Sequence, residues 1–114
     1  MCDLLNKKCV PCEGEISPFD ISEIHKYQKK VDGWDVKKDE KKNYFLEKNF
    51  LFKNFINSQK FIMEVGKISE NENHHPDISF GWGYAKIMIT THAIKGLSEN
   101  DFILAAKINQ IFSV

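Results

Sequence analysis

The sequence predicts an α+β domain in which three helices pack on one face of a four-stranded antiparallel sheet, in the order α-β-β-α-β-β-α. Two stretches alternate apolar and polar residues on either side of a turn, which is typical of hairpins. A long stretch between them has apolar residues three and four positions apart, as in an amphipathic helix. Because hairpin strands are antiparallel and each helix has one apolar stripe to bury, all three helices can cover the same face of one sheet.

Length and composition predict a single domain. The chain has 114 residues, of which 42% are apolar, and its nine Phe and two Trp can fill one compact core. We expect an irregular N-terminal segment over residues 1–16 and one domain over residues 17–114.

The first half of the domain is predicted to contain one helix and one hairpin. Asp20-Ile-Ser-Glu23 has the form of a capping box, in which the aspartate accepts from a backbone N–H of the first turn. This predicts a helix over residues 21–30 that ends before an Asp-Gly pair. Alternation then predicts strands over residues 34–37 and 43–50, joined by a polar loop.

The second half repeats this arrangement with a longer helix. Apolar residues at helical spacing predict a helix over residues 52–71, and Pro76 cannot continue it because proline lacks the backbone N–H. A second hairpin turns at Gly81-Trp82-Gly83, where alternation resumes on either side. Ser98-Glu-Asn-Asp101 is another capping box and predicts the start of the last helix. The apolar stripe of that helix comprises Phe102, Ile103, Ala106, Ile108 and Ile111.

Charge and hydropathy argue against nucleic-acid binding and against a membrane protein. Sixteen basic and sixteen acidic residues cancel, so the chain has no excess of positive charge to hold a nucleic-acid backbone. No run approaches the ~20 apolar residues of a membrane span, and the N-terminal stretch lacks the apolar region of a signal peptide. We therefore expect a cytoplasmic protein without direct nucleic-acid or membrane contacts.

The three cysteines lie close together near the N-terminus. Cys9-Val-Pro-Cys12 has the spacing of half a zinc knuckle, but no second pair follows it. Only Cys2 and His25 could complete a tetrahedral site, and their spacing is irregular. A redox pair of this spacing normally follows a strand, and none is predicted here. The pattern favours reduced thiols in a segment without bound zinc.

Three of the four histidines lie between His74 and His92, and two of them are adjacent. A metal site, a proton-transfer site and a polar turn are the three candidate explanations. Adjacent side chains on extended backbone point to opposite sides, so His74 and His75 are poorly placed to bind one ion together. A polar turn is also reasonable, because histidine is favourable at the C-terminal end of a helix.

The residues around these histidines resemble the pterin-4a-carbinolamine dehydratases, in the bacterial branch of that family. The family pattern runs Glu, three residues, His-His-Pro, five residues, an aromatic residue, nine residues and a third His, and it is met from Glu70 to His92. The resemblance covers nearly the whole chain. Other matching stretches are Cys9-Val-Pro-Cys12, Gly33-Trp34, residues 50–55 and residues 96–107.

This resemblance implies a four-stranded antiparallel sheet backed by three helices, and a hydro-lyase activity. The substrate would be 4a-hydroxytetrahydropterin, which an aromatic amino-acid hydroxylase leaves behind. Loss of the 4a-hydroxyl as water would give quinonoid dihydropterin, with one proton delivered to the hydroxyl and another removed from a ring nitrogen. Histidine titrates near pH ~6.5 and can carry out either transfer without a metal or cofactor.

The resemblance also assigns roles by position. His74, His75 and His92 match the catalytic histidines of the family. Residues matching its substrate-binding positions are Glu70, Asn73, Trp82, Thr90, Thr91 and Asp101. Asp101 is in addition the last residue of its capping box, and we favour that structural role. Trp82 can equally be packing, and His25 is expected at the surface with no partner motif.

Partners follow from the same resemblance. We expect a homodimer or homotetramer, because exposed strand edges are commonly covered by a second copy of the chain. A functional link to an aromatic amino-acid hydroxylase is implied. An alternative stays open: animal relatives act as a dimerisation cofactor for a homeodomain transcription factor, which would be a protein-binding role with little or no catalysis.

Overall fold

A computed structural model describes residues 3–9 and 17–113. The helices and strands are α1 (Ile21–Gln28), β1 (Asp35–Lys38), β2 (Tyr44–Leu51), α2 (Phe55–Glu72), β3 (Asp77–Gly81), β4 (Tyr84–Ile89) and α3 (Glu99–Ser113). Two short 3-10 turns occur at Asp3–Asn6 and His92–Ile94. The predicted order and fold class are confirmed.

The start of α2 differs from the expectation by three residues. The helix begins at Phe55, because the Asn54 side chain caps it by accepting from the Asn57 N–H at 2.9 Å. Phe52 belongs instead to the hairpin, since its N–H donates to the carbonyl of Gly83 at 2.8 Å and so extends the pairing of the sheet. The apolar spacing continues through this stretch, but the backbone hydrogen bonds of the neighbouring hairpin determine where the helix starts.

The sheet is antiparallel throughout, with the strand order β1-β2-β4-β3. In the central pair, Leu46 lies opposite Ile89 and Phe50 opposite Ala85, and these side chains face the helices. This order places the start of β3, the end of β4 and the start of β2 at one end of the sheet. Both histidine-bearing segments therefore join the sheet at that end.

The core lies between the sheet and the helices. Its largest fully buried side chains are Trp34, Phe50, Phe102, Leu4, Ile24, Leu46, Ile87, Ile89, Leu97, Ile103, Leu104 and Ile108. Burial of each such side chain contributes about 1.5–3 kcal/mol relative to exposure. Phe61 and Val65 of α2 are buried as well, so the core draws on every helix and on the central strands, which fixes the helix ends relative to the sheet.

The N-terminal segment takes part in this core, which its sequence did not indicate. The Asp3–Asn6 turn packs against α3, and Leu4 is completely buried. Cys2 and Cys12 lie outside the described residues, so the structure does not test the prediction about zinc at the cysteines. Within 3–9 and 17–113, no helix is both long enough and apolar enough to cross a membrane.

Candidate active site

The end of α2 directs the two adjacent histidines. Asn73 follows the helix in the left-handed conformation (φ 53°, ψ 41°), and its N–H bonds back to the carbonyls of Glu70 and Ser69. The His74 N–H donates to the carbonyl of Ser69 at 3.1 Å and closes the turn. Asparagine tolerates this conformation better than most residues. Asn73 is exposed, and its position is explained by the backbone alone.

His74 has a buried carboxylate as its partner. Its Nε2 atom lies 2.7 Å from Oδ1 of Asp101, and the two side chains are 12% and 0% exposed. The other oxygen, Oδ2, accepts from the Ser98 N–H and from the Thr91 hydroxyl, both at 2.8 Å. The bond from Ser98 is the predicted capping contact at the start of α3. Asp101 therefore caps α3 and also orients His74.

His75 has a different, exposed partner. Its Nε2 atom lies 2.5 Å from Oε2 of Glu70, with 56% and 78% of the side chains exposed. An exposed pair of this kind contributes only about 0–1 kcal/mol to stability, so its effect is on the orientation of the imidazole. His74 and His75 therefore form two separate imidazole–carboxylate pairs, one buried and one exposed.

His92 begins the 3-10 turn that follows β4 and is exposed. Reciprocal backbone bonds between Thr91 and Gly96 close this loop. His92 borders an open groove of about 900 Å³. The other lining residues are Lys38, Asp39, Glu40, Lys41, Asn43, Phe45, Thr90 and Lys95. In the described part of the chain, no hydrogen bond or ion pair joins His92 to His74 or His75.

The two threonines before His92 are used to hold the strand end. The Thr90 hydroxyl donates to the carbonyls of Tyr44 at 2.9 Å and Gly96 at 3.2 Å. Thr91 is buried, and its hydroxyl bonds to Asp101 and Ser98. Thr90 also borders the groove, whereas Thr91 supports the carboxylate that orients His74.

Trp82 lies away from these groups. It is 72% exposed in the turn between β3 and β4. The five residues of β3, a length of roughly 17 Å, separate that turn from the segment carrying His75. The structure of one chain therefore does not bring Trp82 together with the histidines.

A second buried carboxylate, which the sequence did not predict, lies two residues before His74 in the chain. Glu72 is 5% exposed, and its oxygens bind Lys107 Nζ at 2.6 Å and the Cys9 N–H at 2.8 Å. Burial alone would raise its pKa, but the bonds from Lys107 and Cys9 outweigh this and lower the pKa. Burial, together with the charge of Glu72, raises the pKa of the Cys9 thiol to about 12. An acidic residue at a helix C-terminus, where the dipole disfavours it, was the signal available in the sequence.

The arrangement can move protons. Two imidazoles at the end of one helix each have a carboxylate that fixes one ring nitrogen, and a third imidazole lies at the next strand end. A carboxylate only accepts hydrogen bonds, so Nε2 of each ring carries the proton and donates it. The other ring nitrogen, Nδ1, is then an acceptor for a ligand. Across residues 3–9 and 17–113, no three metal-ligating side chains form a group that could hold an ion.

Comparisons with known proteins agree on one family. The family model described as Pterin 4 alpha carbinolamine dehydratase matches residues 17–111. A protein of Rubrobacter xylanophilus is 40% identical over 97% of this chain and 100% of its own length. One from Nitrosospira multiformis is 44% identical over 98% of this chain and 95% of its own. Both carry the name "Putative pterin-4-alpha-carbinolamine dehydratase".

Two solved structures share the fold. A transcriptional coactivator/pterin dehydratase from Brucella melitensis has a TM-score of 0.74 and 25% identity, covering 83% of this chain and 98% of that one. A pterin dehydratase-like protein, described as a RuBisCO assembly factor in the alpha-carboxysome, has a TM-score of 0.60 and 22% identity, covering 70% and 89%. The second supports the fold alone.

Proposed function

The chain belongs to the pterin 4 alpha carbinolamine dehydratase family, and from this we propose that it eliminates water from 4a-hydroxytetrahydropterin to give quinonoid dihydropterin. The observation that carries the proposal is the pair formed by His74 and the buried Asp101. It provides an oriented imidazole next to a second one, His75, that is open to a ligand. General acid–base groups of this kind accelerate proton transfers by about 10²–10⁴-fold.

The reaction requires two proton movements. The bond from carbon 4a to the hydroxyl oxygen breaks, and the hydroxyl leaves as water after it accepts a proton. A ring nitrogen loses its proton, and the electron pair released there forms the new double bond. We assign these transfers to His74, His75 and His92, which act without a metal or cofactor in this mechanism.

The other residues divide into two groups. Glu70, Asn73 and Thr90 are exposed or line the groove, and we propose that they contact the pterin. Asp101 and Thr91 are buried and bonded to each other, so their proposed role is to hold His74. Trp82 could contribute only to a site that includes another copy of the chain, since its turn lies at the far end of β3.

We further propose a cytoplasmic enzyme that works beside an aromatic amino-acid hydroxylase and forms at least a dimer. In the described part of the chain, β1 and β3 are the edges of the sheet. Such edges are commonly paired with a second copy.

The test is a coupled reaction. The purified protein is added to an aromatic amino-acid hydroxylase reaction, and formation of quinonoid dihydropterin is followed by its absorbance. The rate should rise in proportion to the protein added. An unchanged rate with correctly folded protein contradicts the proposed activity.

A protein-binding role is the second candidate. It is supported by the description of the Brucella melitensis neighbour as a transcriptional coactivator as well as a pterin dehydratase. The coupled reaction separates the two candidates, since a purely regulatory protein would not change the rate. The acid–base pairs at His74 and His75 favour the enzyme.

A further inference from the structure

Glu72 is a buried carboxylate that the proposed chemistry does not use. It is the last residue of α2, two positions before His74. The sequence of the last turn, Ser69-Glu-Asn-Glu72, contains no basic residue, and a carboxylate there faces the negative end of the helix dipole. Burial removes the carboxylate from water as well. Its position is therefore unfavourable unless other elements compensate for it.

Two other elements supply that compensation. Lys107 of α3 binds Oε2, and the backbone N–H of Cys9 in the N-terminal segment donates to Oε1. The Lys107 side chain is 16% exposed and that of Glu72 is 2% exposed. Removing one partner of such a pair leaves an uncompensated buried charge, so its geometry is strongly specified. Glu72 thus connects α2, α3 and the N-terminal segment at one point.

The N-terminal segment also contacts the first turn of α3. Leu4 is fully buried, and the Cys9 Sγ atom lies 3.5 Å from the backbone oxygen of Asn100. Asn100 directly precedes Asp101, the partner of His74. Residues 3–9 therefore lie against both helix ends that form the His74–Asp101 contact.

We infer that residues 3–9 and the Glu72–Lys107 pair are a positioning element that holds His74 against Asp101. This rests on the proposed function, because it gives the pair a role in that site. The His74–Asp101 contact joins the end of α2 to the start of α3, at a distance that neither helix sets alone. The Glu72–Lys107 pair joins the same two elements, two residues before His74 and six residues after Asp101, so movement of one helix against the other changes both distances.

The first test replaces Lys107 by methionine, which removes the positive charge and keeps a side chain of similar volume. Lys107→Met should lower kcat roughly tenfold, with KM changed less than about twofold, since a displacement of about 1 Å can cost up to hundredfold. Lys107→Arg should recover most of the rate because it retains the charge. Lys67→Met is the matched control: Lys67 pairs with Glu64 at 3.3 Å on the same helix, and both side chains are exposed. It should leave kcat unchanged.

A second measurement does not depend on activity. In protein labelled with ¹⁵N-histidine, the His74 ring signals report the hydrogen bond of Nε2 and can be assigned with a His74→Asn variant. Lys107→Met should shift those signals, whereas Lys67→Met should not. Leu4→Ala, which loosens the N-terminal segment without touching Glu72, should shift them in the same direction. Melting curves confirm that each variant is folded at the temperature of the assay.

The outcomes separate this inference from the proposed function. An inactive wild-type protein contradicts the proposed function, and the His74 signals then decide the inference alone. The inference is overturned if folded Lys107→Met keeps the His74 signals of the wild type. It is equally overturned if Lys107→Met raises KM at unchanged kcat, since that would indicate substrate binding and not positioning.

Discussion

His74 and Asp101 are 27 residues apart in sequence, yet Nε2 of the histidine lies 2.7 Å from a carboxylate oxygen that is shielded from solvent. The same carboxylate accepts two further hydrogen bonds, from the Ser98 N–H and the Thr91 hydroxyl. The start of α3 and the segment after β4 therefore hold the carboxylate in place independently of the histidine. This makes the contact a means of orienting the imidazole.

Asp101→Asn should lower kcat at least roughly tenfold, because the amide does not reproduce a carboxylate that only accepts. Stability should change less, because the amide oxygen can still accept from the Ser98 N–H and keep the capping contact. The coupled hydroxylase reaction and urea unfolding measure the two effects. Asp20→Asn is the control, as Asp20 also caps a helix, by accepting from the Glu23 N–H of α1, but is exposed and outside the site. Equal activity of the two variants would contradict the role of Asp101.

His75→Ala and His92→Ala should each lower the dehydration rate by at least roughly tenfold, in the usual range for loss of a general acid or base. The double variant should show little activity above the spontaneous rate. His25→Ala should be fully active, because His25 is exposed on α1. A folded double variant with wild-type activity would refute the assignment of the histidines.

Removal of metal should not affect the reaction. If the histidines transfer both protons, exhaustive chelation leaves the dehydration rate unchanged, because no ion lowers the pKa of a water molecule. Stoichiometric zinc whose removal abolishes activity, and whose return restores it, would disprove this mechanism.

The protein should form at least a dimer at micromolar concentration. The β3 edge has little burial, and Ile78 on this strand is 36% exposed, so a second copy can extend the sheet there. Light scattering gives the mass directly. A monomer under these conditions would count against the prediction.

The free energy of unfolding should fall in acid, because Glu72 then becomes protonated. Burial opposes its charge, but the bonds from Lys107 and the Cys9 N–H lower its pKa below the ordinary 4.5, and Lys8 adds a favourable charge. The unfolded state therefore binds the proton more readily, and stability is lost as the pH falls below about 5 and through the folded pKa. Glu72→Gln keeps the shape and removes the titration.

Urea unfolding of wild type and Glu72→Gln at several pH values between 7 and about 3.5 tests this. The wild type should be the more stable at neutral pH, and the difference should shrink in acid. Glu64→Gln, on the exposed side of the same helix, should show a much smaller difference at every pH. A difference between Glu72→Gln and wild type that does not change with pH would contradict the prediction.

The sequence alone determined the order of the elements, because hydrophobic period and capping residues are local properties. It placed the first-helix cap at Asp20 and the capping contact of α3 at Asp101, and both are present. It also identified the family from the spacing of Glu70 to His92, which the family model supports. Proton-transfer roles for the three histidines remain predictions.

The tertiary structure alone decided which distant groups meet. The sheet hydrogen bond of Phe52 keeps this residue in the hairpin, and α2 begins only at Phe55. Core packing buries Leu4, in a segment that was predicted to be irregular. The partners of Glu72 lie 63 and 35 residues away, at Cys9 and Lys107. These contacts depend on where helix ends lie after the core has packed, and a periodic pattern carries no information about that. Periodicity specifies which face of a helix is buried, whereas the neighbour of its last residue is set by the packing of the whole chain.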